Sequence, residues 1–453
     1  MRFWASDVAA ATGGVLVGPD VLIDGVSFDS RTVGAGQLFV PIVADRDGHA
    51  FIANARERGA AAYLTSLRAG GGTAIEVSDT LLALMALARE RRSRYRGIVV
   101  GITGSVGKTS TKDLAAAALS VSRRTWVNER SFNNDQGLPS TVLNAPDDTE
   151  VLVLEMGMRG HGEIARLASI GRPHIGVVTR VAEAHGDRVG GIAGVAAAKA
   201  ELVEALPEVG FAVLNADDDY VRGMHARTDA TVLLFGESPK SDVRVSRVQL
   251  DHDARARFDL HTPWGAVDVS LGVSGRHMVL NAAAALTTVG LVGGDIAAGA
   301  AALAGVELTA MRMHLHRTPA GAVVLDDSYT ANPPPMRAAI DALVAVPATR
   351  RIAIVGLMAE IGDAPREHQA IAGYAAERGV QLIAVGTNLY GIEPTSDPVA
   401  ALGSLAGGDA VLVKGSRVVG LERVAATLRQ AAVVDARDVA PPGQQPSPER
   451  PTD

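Results

Sequence analysis

The stretch "VVGITGSVGKTSTKD", residues 99–113, joins an apolar run to a glycine-rich turn and then to a helix-forming segment. Such a strand, turn and helix aim backbone N–H groups and the positive end of a helix at one point, where a phosphate can bind. A strict phosphate-loop pattern has four residues between its first glycine and the Gly-Lys pair, whereas five separate Gly101 from Gly107 here. The turn still predicts a phosphate-binding loop, because Lys108 and the hydroxyl of Thr109 keep their places.

Seven consecutive residues of this turn are expected to contact a nucleotide: Gly104, Ser105, Val106, Gly107, Lys108, Thr109 and Ser110. Thr109 would also offer its hydroxyl to Mg²⁺. The alternative is a glycine-rich turn that holds no ligand. An apolar strand followed by Gly-Lys-Thr favours phosphate binding over that alternative.

The composition of the chain excludes several classes of function. With 453 residues, 47% hydrophobic and 21% charged, it is typical of a globular protein of several domains. A net charge of -7 argues against nucleic-acid binding, and the lack of cysteine excludes disulfides and thiolate chemistry. The amino terminus has no signal-peptide pattern, and no apolar run is long enough to span a membrane. We therefore expect a cytoplasmic protein that does not insert into membranes. A monomer is expected, although the sequence carries no signal of oligomeric state.

Alternating strand and helix patterns predict an α/β fold with three domains. Residues 1–96 form a small α/β domain, and residues 97–308 a larger one with a mostly parallel sheet. Within the latter, polar and apolar residues alternate at period two over 242–271, which predicts appended antiparallel strands. Residues 309–435 read as a doubly wound, Rossmann-like unit, and the Pro-rich residues 436–453 as a disordered tail.

Four polar residues of the central segment are candidates of unequal strength. Glu155 ends the strand "VLVLE" at the edge where open α/β sheets bind ligands, so it is a candidate Mg²⁺ ligand, the alternative being a solvated side chain. His185 after "IGVVT" is by itself typical of a surface or capping histidine. Lys199 lies in the alanine-rich run "AAAKAELVEAL", where composition alone predicts an exposed lysine. Asn281, at a helix start, carries no signal of its own.

The third segment contains an acidic loop and a basic one. In "VVLDDSYTANPPPM", Asp326 and Asp327 end a strand, and prolines stiffen the polar loop that contains Asn332. A rigid polar loop suits recognition of hydroxyls and base edges, so we expect Asp326 and Asn332 to contact the nucleotide. An ordinary strand-to-helix connection is the alternative. "VLVKGSR" supplies Lys414 and Ser416, which could meet a carboxylate or phosphate of a substrate.

Taken together, these motifs resemble the Mur ligases over nearly the whole chain. They are most similar to the branch that joins D-alanyl-D-alanine to UDP-N-acetylmuramoyl-tripeptide. The resemblance depends on eight stretches in the expected order: "GITGSVGKTSTKD", "NNDQGLPSTVL", "LEMGMRGHGEIARLA", "AHGD", "AAAKAEL", "GRHMVLNAAAA", "DDSYTANPPPM" and "LVKGSR". The amino-terminal "FDSRTVGAGQLFV" and "DGHAFI" are also similar to that branch.

The resemblance implies a UDP-sugar-binding domain at 1–96, a central ATPase at 97–308 and a Rossmann-like domain at 309–435 that closes over the nucleotide. It implies ATP and Mg²⁺ as cofactors, and a UDP-sugar peptide and a dipeptide as substrates. ATP would phosphorylate the substrate carboxylate, and the dipeptide amine would attack the resulting acyl phosphate. Amide-bond formation in peptidoglycan synthesis is the implied function.

The resemblance also implies roles for single residues. Metal-site positions of the family match Thr109, Glu155 and His185. Lys199 matches a carbamylated lysine that helps to hold a second Mg²⁺, which replaces the interpretation as an exposed lysine. Asn281 matches a nucleotide contact, as does Asn332. The implied catalytic residues are Lys108, His185, Lys199 and Arg312, the last reaching the phosphates from the third domain. The implied substrate contacts, with those of the basic loop, are Ser30, Arg31, Asn133, Asn134, Lys414 and Ser416.

The chain departs from the family pattern at a few positions. Met311 precedes Arg312 where glycine is usual, Thr330 replaces an asparagine, Gly186 follows "AH" in place of leucine, and "PIVADRDGH" replaces a longer charged loop. Two other functions therefore stay open: a paralogous ligase with another acceptor, of secondary metabolism or folate type, and a nucleotide-gated binding ATPase. The third residue of the acceptor peptide stays open between diaminopimelate and lysine.

Overall fold

The computed structural model describes residues 2–182, 189–359 and 361–430, which form α/β layers on three main sheets. The largest sheet is central and has nine strands, whose spatial order differs from their order in the chain. Across the sheet the strands run Gly265–Ser274, Arg255–Thr262, Val243–Leu250, Thr231–Gly236, Phe211–Asn215, Ile175–Val178, Ile98–Thr103, Val151–Glu155 and Thr125–Val127.

Neighbouring strands of this sheet are parallel from Thr125–Val127 to Val243–Leu250. The remaining pairs are antiparallel, which confirms the strands predicted from the alternation over 242–271. The described helices of this part of the chain are Lys108–Ser120, Gly137–Asn144, Glu163–Gly171, Gly191–Glu204, Asp219–Gly223, Met278–Leu291 and Ile296–Ala302, with 3₁₀ turns at Met224–Arg227 and Leu303–Gly305.

The amino-terminal sheet has five short strands. Across it they run Val15–Val17, Ala74–Glu76, Ala62–Thr65, Leu38–Phe39 and Val26–Ser27, and only the first pair is antiparallel. A separate antiparallel ribbon pairs Arg2–Trp4 with Leu22–Asp24. The accompanying helices are Ala5–Thr12, Ile52–Glu57 and Thr80–Arg94, with a 3₁₀ turn at Gly48–Phe51.

The carboxyl-terminal sheet is doubly wound, as predicted. Its strands run His314–Arg317, Val323–Asp326, Asp409–Lys414, Arg350–Val355 and Gln381–Ala384, and all pairs after the first are parallel. Its helices are Pro333–Ala345, Ala364–Glu377, Pro398–Leu402 and Glu422–Arg429, with a 3₁₀ turn at Arg417–Val419.

Apolar packing on both faces of the central sheet joins the three parts of the chain. Along Ile98–Thr103, Val99 belongs to a buried cluster that includes Leu84 of the amino-terminal part, whereas Val100 belongs to one that includes Leu325. A strand buried on both faces explains the unbroken apolar run that precedes the glycine-rich turn. The strands of each sheet fall within 1–96, 97–308 or 309–435, and those boundaries stay a prediction. The predicted tail, 436–453, lies outside the described residues.

Two adjacent parts of the fold are held together by a buried arginine on the helix Thr80–Arg94. Arg92 is 6% exposed, and its guanidinium donates to the carbonyl oxygens of Gly171 at 2.6 Å and Arg172 at 2.7 Å. These carbonyls lie at the end of the helix Glu163–Gly171, where four C=O groups lack partners within the helix. The arginine therefore both caps a helix and anchors the preceding part of the chain to the central sheet.

Replacing Arg92 with leucine is expected to lower the free energy of unfolding by about 2–3 kcal/mol, because two carbonyl oxygens lose a charged donor. Arg94→Leu is the matched control, since the Arg94 side chain is on the same helix but is 57% exposed and pairs, among the described residues, with Glu90. The midpoint of thermal unfolding measures both. Equal midpoints for the two variants would contradict the anchoring role.

Candidate active site

Two glycines of the loop after Ile98–Thr103 are required by close approach of neighbouring groups. Gly104 has φ 150°, and a Cβ there would lie 1.9 Å from the hydroxyl oxygen of Thr179. Gly107 has φ 86°, and a Cβ there would lie 2.5 Å from Oδ1 of Asn281. The helix Lys108–Ser120 begins directly after Gly107, so its free N–H groups face the turn. This is the strand, turn and helix predicted from residues 99–113.

The Lys108 amine is folded back over the loop. Its Nζ donates to the carbonyl oxygen of Gly104 at 2.8 Å. Loss of solvation lowers the pKa of Lys108, the carboxylate of Glu155 opposes this change, and the charge of Arg312 adds to it. The Lys108 ammonium has one neutral carbonyl as its partner and lies at the N-terminus of a helix. It is therefore suited to exchange this carbonyl for a phosphate oxygen, which is a stronger, charged acceptor.

Thr109 and Glu155 form a pair of hard oxygen donors beside the loop. The Thr109 hydroxyl donates to Oε2 of Glu155 at 2.9 Å, and Nδ2 of Asn133 donates to Oε1 at 2.6 Å. Glu155 is 1% exposed, so the predicted solvated alternative is wrong. Among the described residues, no three His, Cys, Asp or Glu side chains cluster as a metal site. The pair fits Mg²⁺, which takes few protein ligands and completes its shell with phosphates and water.

Arg312 reaches this pair from the start of the third segment. Its NH2 donates to the Thr109 hydroxyl oxygen at 3.3 Å, and its guanidinium carbon lies 4.2 Å from the centre of the Tyr329 ring. The flanking residues Met311 and Met313 have φ 64° and 52°. Non-glycine residues in this region store strain and persist only where the surroundings impose the conformation. Met311 therefore occupies the conformation for which the family pattern has glycine.

Lys199 is buried in the helix Gly191–Glu204, with 4% of its surface exposed. The exposed lysine predicted from composition is wrong. Burial lowers the pKa of Lys199 well below that of a free lysine, and the charge of Lys108 lowers it further. No hydrogen bond from its amine to another described residue is present. A buried lysine with a strongly lowered pKa is a candidate for chemistry that needs the neutral amine.

Two asparagines are buried at this site, one against the loop and one among the residues that line the cavity. Asn281 is buried in the helix Met278–Leu291, with Oδ1 against Gly107. Asn332 is buried just before the helix Pro333–Ala345, and its Oδ1 has no partner among the described residues. A buried acceptor without a donor is costly in a closed core but suits a site that a ligand completes.

Most of these groups line one cavity of about 590 Å³. It contains most of the predicted site residues, namely Gly104, Ser105, Gly107, Lys108, Thr109, Asn133, Asn134, Glu155, Lys199, Arg312, Asn332 and Ser416. A volume of this size is typical of small-molecule sites. The cavity lies at the carboxyl end of the parallel strands, where open α/β sheets bind ligands.

Several predicted contacts lie away from the cavity lining. Lys414 is fully buried, and its amine donates to Oδ2 of Asp327 at 2.5 Å and to the carbonyl of Thr330 at 2.7 Å. Asp326 is buried and accepts from Ser328 and Arg429. In the structure Lys414 and Asp326 support the loop 327–332, and their direct contacts with substrate and nucleotide stay a prediction.

Other predicted contacts are set apart for different reasons. Ser30 is buried, and Arg31 is exposed and pairs with Asp29 at 2.7 Å, so neither lines the cavity. The residues that line the cavity do not include Val106, Ser110 or Asn281. His185 lies outside the described residues, as does Gly186.

Sequence reasoning missed several lining residues. The Tyr329 ring packs against the Arg312 guanidinium and lines the cavity. The sequence had pointed to this loop because of its polar residues. Arg159 and Glu163 lie in "MRGHGE", within a stretch that resembled the family, and line the cavity beyond Glu155. Leu81 reaches it from the amino-terminal part. For Tyr329, Arg159 and Glu163 the only sequence signal was their place in or beside a recognised motif, and Leu81 had none.

The fold and cavity define an α/β protein with a phosphate-loop geometry, in which Arg312, just before the carboxyl-terminal sheet, reaches the loop of the central one. The chain belongs to the Mur ligase family. Residues 102–289 match the Mur ligase middle domain, and residues 311–437 match the glutamate ligase domain of Mur ligases. The UDP-N-acetylmuramoyl-tripeptide–D-alanyl-D-alanine ligase of Mycobacterium tuberculosis is 38% identical, over 89% of this chain and 91% of that protein.

Solved structures agree with this assignment. A crystal structure of MurF from Acinetobacter baumannii superposes with a TM-score of 0.84 at 27% identity, covering 95% of this chain and 99% of that one. MurF from Thermotoga maritima in complex with ADP superposes with a TM-score of 0.77 at 27% identity, covering 89% and 97%. Among the described helices of the present chain, none is long and apolar enough to cross a membrane.

Proposed function

We propose that this protein is an ATP-dependent ligase that joins D-alanyl-D-alanine to UDP-N-acetylmuramoyl-tripeptide in peptidoglycan precursor synthesis. The observation that carries the proposal is the convergence of Lys108, the Thr109–Glu155 pair and Arg312 on one cavity. The relative from M. tuberculosis, similar over 89% of this chain, has this activity in its name. The proposed substrates are therefore inferred from the relatives, and phosphoryl transfer is inferred from the residues that line the cavity.

The chemistry begins with transfer of the terminal phosphoryl group of ATP to the tripeptide carboxylate. Lys108 and Arg312 face the loop from two sides and stabilise the charge that spreads over the transferred group. The dipeptide amine then attacks the acyl carbon, the C–O bond to phosphate breaks, and the amide and inorganic phosphate result. Burial within the cavity limits competing attack by water.

Mg²⁺ is the second part of the proposal. Thr109 and Glu155 would hold it, and the bound ion would offset the negative charge of the phosphates. Lys199 would carry a carbamate, since its buried amine has a strongly lowered pKa and therefore an accessible neutral form. The match of His185 to a metal position depends on the family resemblance alone.

The proposal needs only one copy of the chain. We propose that the protein acts as a monomer, and a measurement of its molar mass in solution tests this. Its substrates, ATP and a UDP-linked sugar peptide, place the reaction in the cytoplasm.

A coupled assay tests this function directly. The protein is incubated with ATP, Mg²⁺, UDP-N-acetylmuramoyl-tripeptide and D-alanyl-D-alanine, and the pentapeptide product is sought by mass. Acceptors that carry diaminopimelate or lysine at the third position are compared side by side. Product formed only with another amino acid or acceptor would replace the proposal by a paralogous ligase. Phosphate release without any coupled product would indicate a nucleotide-gated binding ATPase.

Replacing Arg312 with alanine is expected to lower turnover by about a hundredfold, because the charge of the transferred group loses one of its donors. ATP affinity should change much less, since the loop and Lys108 are untouched. Turnover and nucleotide affinity are measured separately. Arg423→Ala is the control, because Arg423 is exposed on the helix Glu422–Arg429. Wild-type turnover in Arg312→Ala would place the arginine outside the reaction.

A further inference from the structure

Lys112 and Asp113 follow the phosphate loop by one helical turn and are not explained by the reaction. Both lie on the helix Lys108–Ser120, three and four residues after Thr109, so they share its face of the helix. Lys112 is 1% exposed, and its Nζ lies 3.2 Å from Oδ1 of Asp113. Burying a lysine is costly unless its donors are satisfied. Their partners therefore indicate what the two residues do.

Lys112 holds the start of the loop that leads to the substrate-side asparagines. Its Nζ donates to the carbonyl of Asn128 at 2.9 Å and to that of Arg130 at 2.7 Å. Arg130 has φ 51°, so the chain turns sharply at this point. Three residues later, Nδ2 of Asn133 reaches Glu155. The lysine thus fixes the curvature of a loop that lines the cavity.

Asp113 holds the other side of the cavity. Its Oδ2 accepts from the backbone N–H of Thr309 at 2.7 Å, and its Oδ1 accepts from the Thr309 hydroxyl at 3.2 Å. Thr309 lies two residues before the strained Met311 and three residues before Arg312, which reaches Thr109. A carboxylate that accepts two hydrogen bonds at this junction limits where Arg312 can lie.

We propose that Lys112 and Asp113 are positioning residues for the ligation, an inference that rests on the function proposed above. Lys112 sets the loop 128–134 on the acceptor side, and Asp113 sets the junction 309–313 that carries Arg312. The two residues are adjacent on the helix that begins at the phosphate loop. This one helix therefore fixes the positions of the phosphate loop, the loop 128–134 and Arg312 relative to one another. Small misplacements of reacting groups lower the rate strongly, so positioning by this helix has a direct effect on turnover.

The two residues act on different sides of the cavity, and kinetics separate them. Lys112→Met is expected to raise the KM for UDP-N-acetylmuramoyl-tripeptide about tenfold while leaving the KM for ATP within about twofold. Asp113→Ala is expected to lower kcat about tenfold with little change in the tripeptide KM. Ser120→Ala, at the exposed end of the same helix, is the control. Equal loss in all constants, together with a lowered unfolding midpoint, would indicate a purely structural role and overturn the proposal.

Limited trypsin digestion tests the anchoring independently of the reaction. Arg130 is exposed, and cleavage after it is expected to be about tenfold faster in Lys112→Met than in the wild type, because the loop opens more often. Cleavage after Arg312 is expected to be faster in Asp113→Ala. Unchanged digestion would refute the anchoring. Faster digestion with wild-type kinetic constants would refute the positioning role, whereas a wild-type protein that makes no pentapeptide would refute the proposed function instead.

Discussion

Replacing Lys108 with alanine is expected to lower turnover by about 10²–10³-fold, because the transferred phosphoryl group loses a preorganised cation. Folding should be preserved, since the amine faces the cavity and its single hydrogen bond is to a loop carbonyl. Turnover is measured as pentapeptide formed, and folding as the midpoint of thermal unfolding. The loss should appear mainly in kcat, because the backbone N–H groups of the loop still bind the nucleotide.

Lys240→Ala is the matched control for this variant. Lys240 is exposed and lies outside the cavity lining, so the same loss of charge should have no effect there. Lys108→Arg separates charge from shape, since a planar guanidinium cannot occupy the place of a compact ammonium. We expect it to remain far below wild type. Unchanged turnover in Lys108→Ala would show that the glycine-rich turn does not serve phosphoryl transfer.

The phosphate loop was predictable because its signal is local. An apolar strand, two glycines and a helix start lie within residues 99–113, and each follows from backbone sterics. The antiparallel strands over 242–271 were predictable for the same reason, since alternation at period two is a short-range pattern. The order of the central strands was not. Val151–Glu155 lies between Ile98–Thr103 and Thr125–Val127, a pairing between distant segments that no local pattern specifies.

Burial of charged residues was the second limit of sequence reasoning. Lys199 and Lys414 each stand among small or apolar residues, and composition gave no way to tell an exposed lysine from an enclosed one. In the structure both are buried, but Lys414 is neutralised by Asp327 whereas Lys199 has no described hydrogen-bond partner. The difference depends on residues remote in sequence. Family resemblance selected Lys199, and only the geometry distinguishes the two environments.

The conformation of Met311 illustrates a third limit. The sequence showed only that methionine replaces the usual glycine before Arg312. The structure gives it φ 64°, so the backbone keeps the conformation that glycine favours although the side chain opposes it. Asp113 is among the groups that hold the junction in place, through Thr309. The replacement of glycine by Met311 therefore changes the side chain but keeps the backbone conformation at this position.

The modification proposed for Lys199 is a carbamate on its buried amine. A carbamate forms when a neutral amine attacks CO₂, the new N–C bond forms and the amine loses a proton. Burial favours the neutral amine by lowering the pKa of Lys199, and the nearby charge of Lys108 acts in the same direction. The product is a carboxylate at the end of a long side chain, an oxygen donor of the kind that Mg²⁺ prefers.

Lys199→Ala is expected to lower turnover about a hundredfold, because a site ligand is removed. Acetate or another short carboxylate should restore part of the activity by occupying the vacated position, and it should not rescue Lys108→Ala. Lys199→Arg keeps a long basic side chain but cannot be carbamylated, so it should be as inactive as the alanine variant. Incubation with ¹³C-labelled bicarbonate should give the wild type a carbamate carbon signal that Lys199→Ala lacks. Full activity of Lys199→Ala without added carboxylate, or wild-type turnover in Lys199→Arg, would exclude the modification from the reaction.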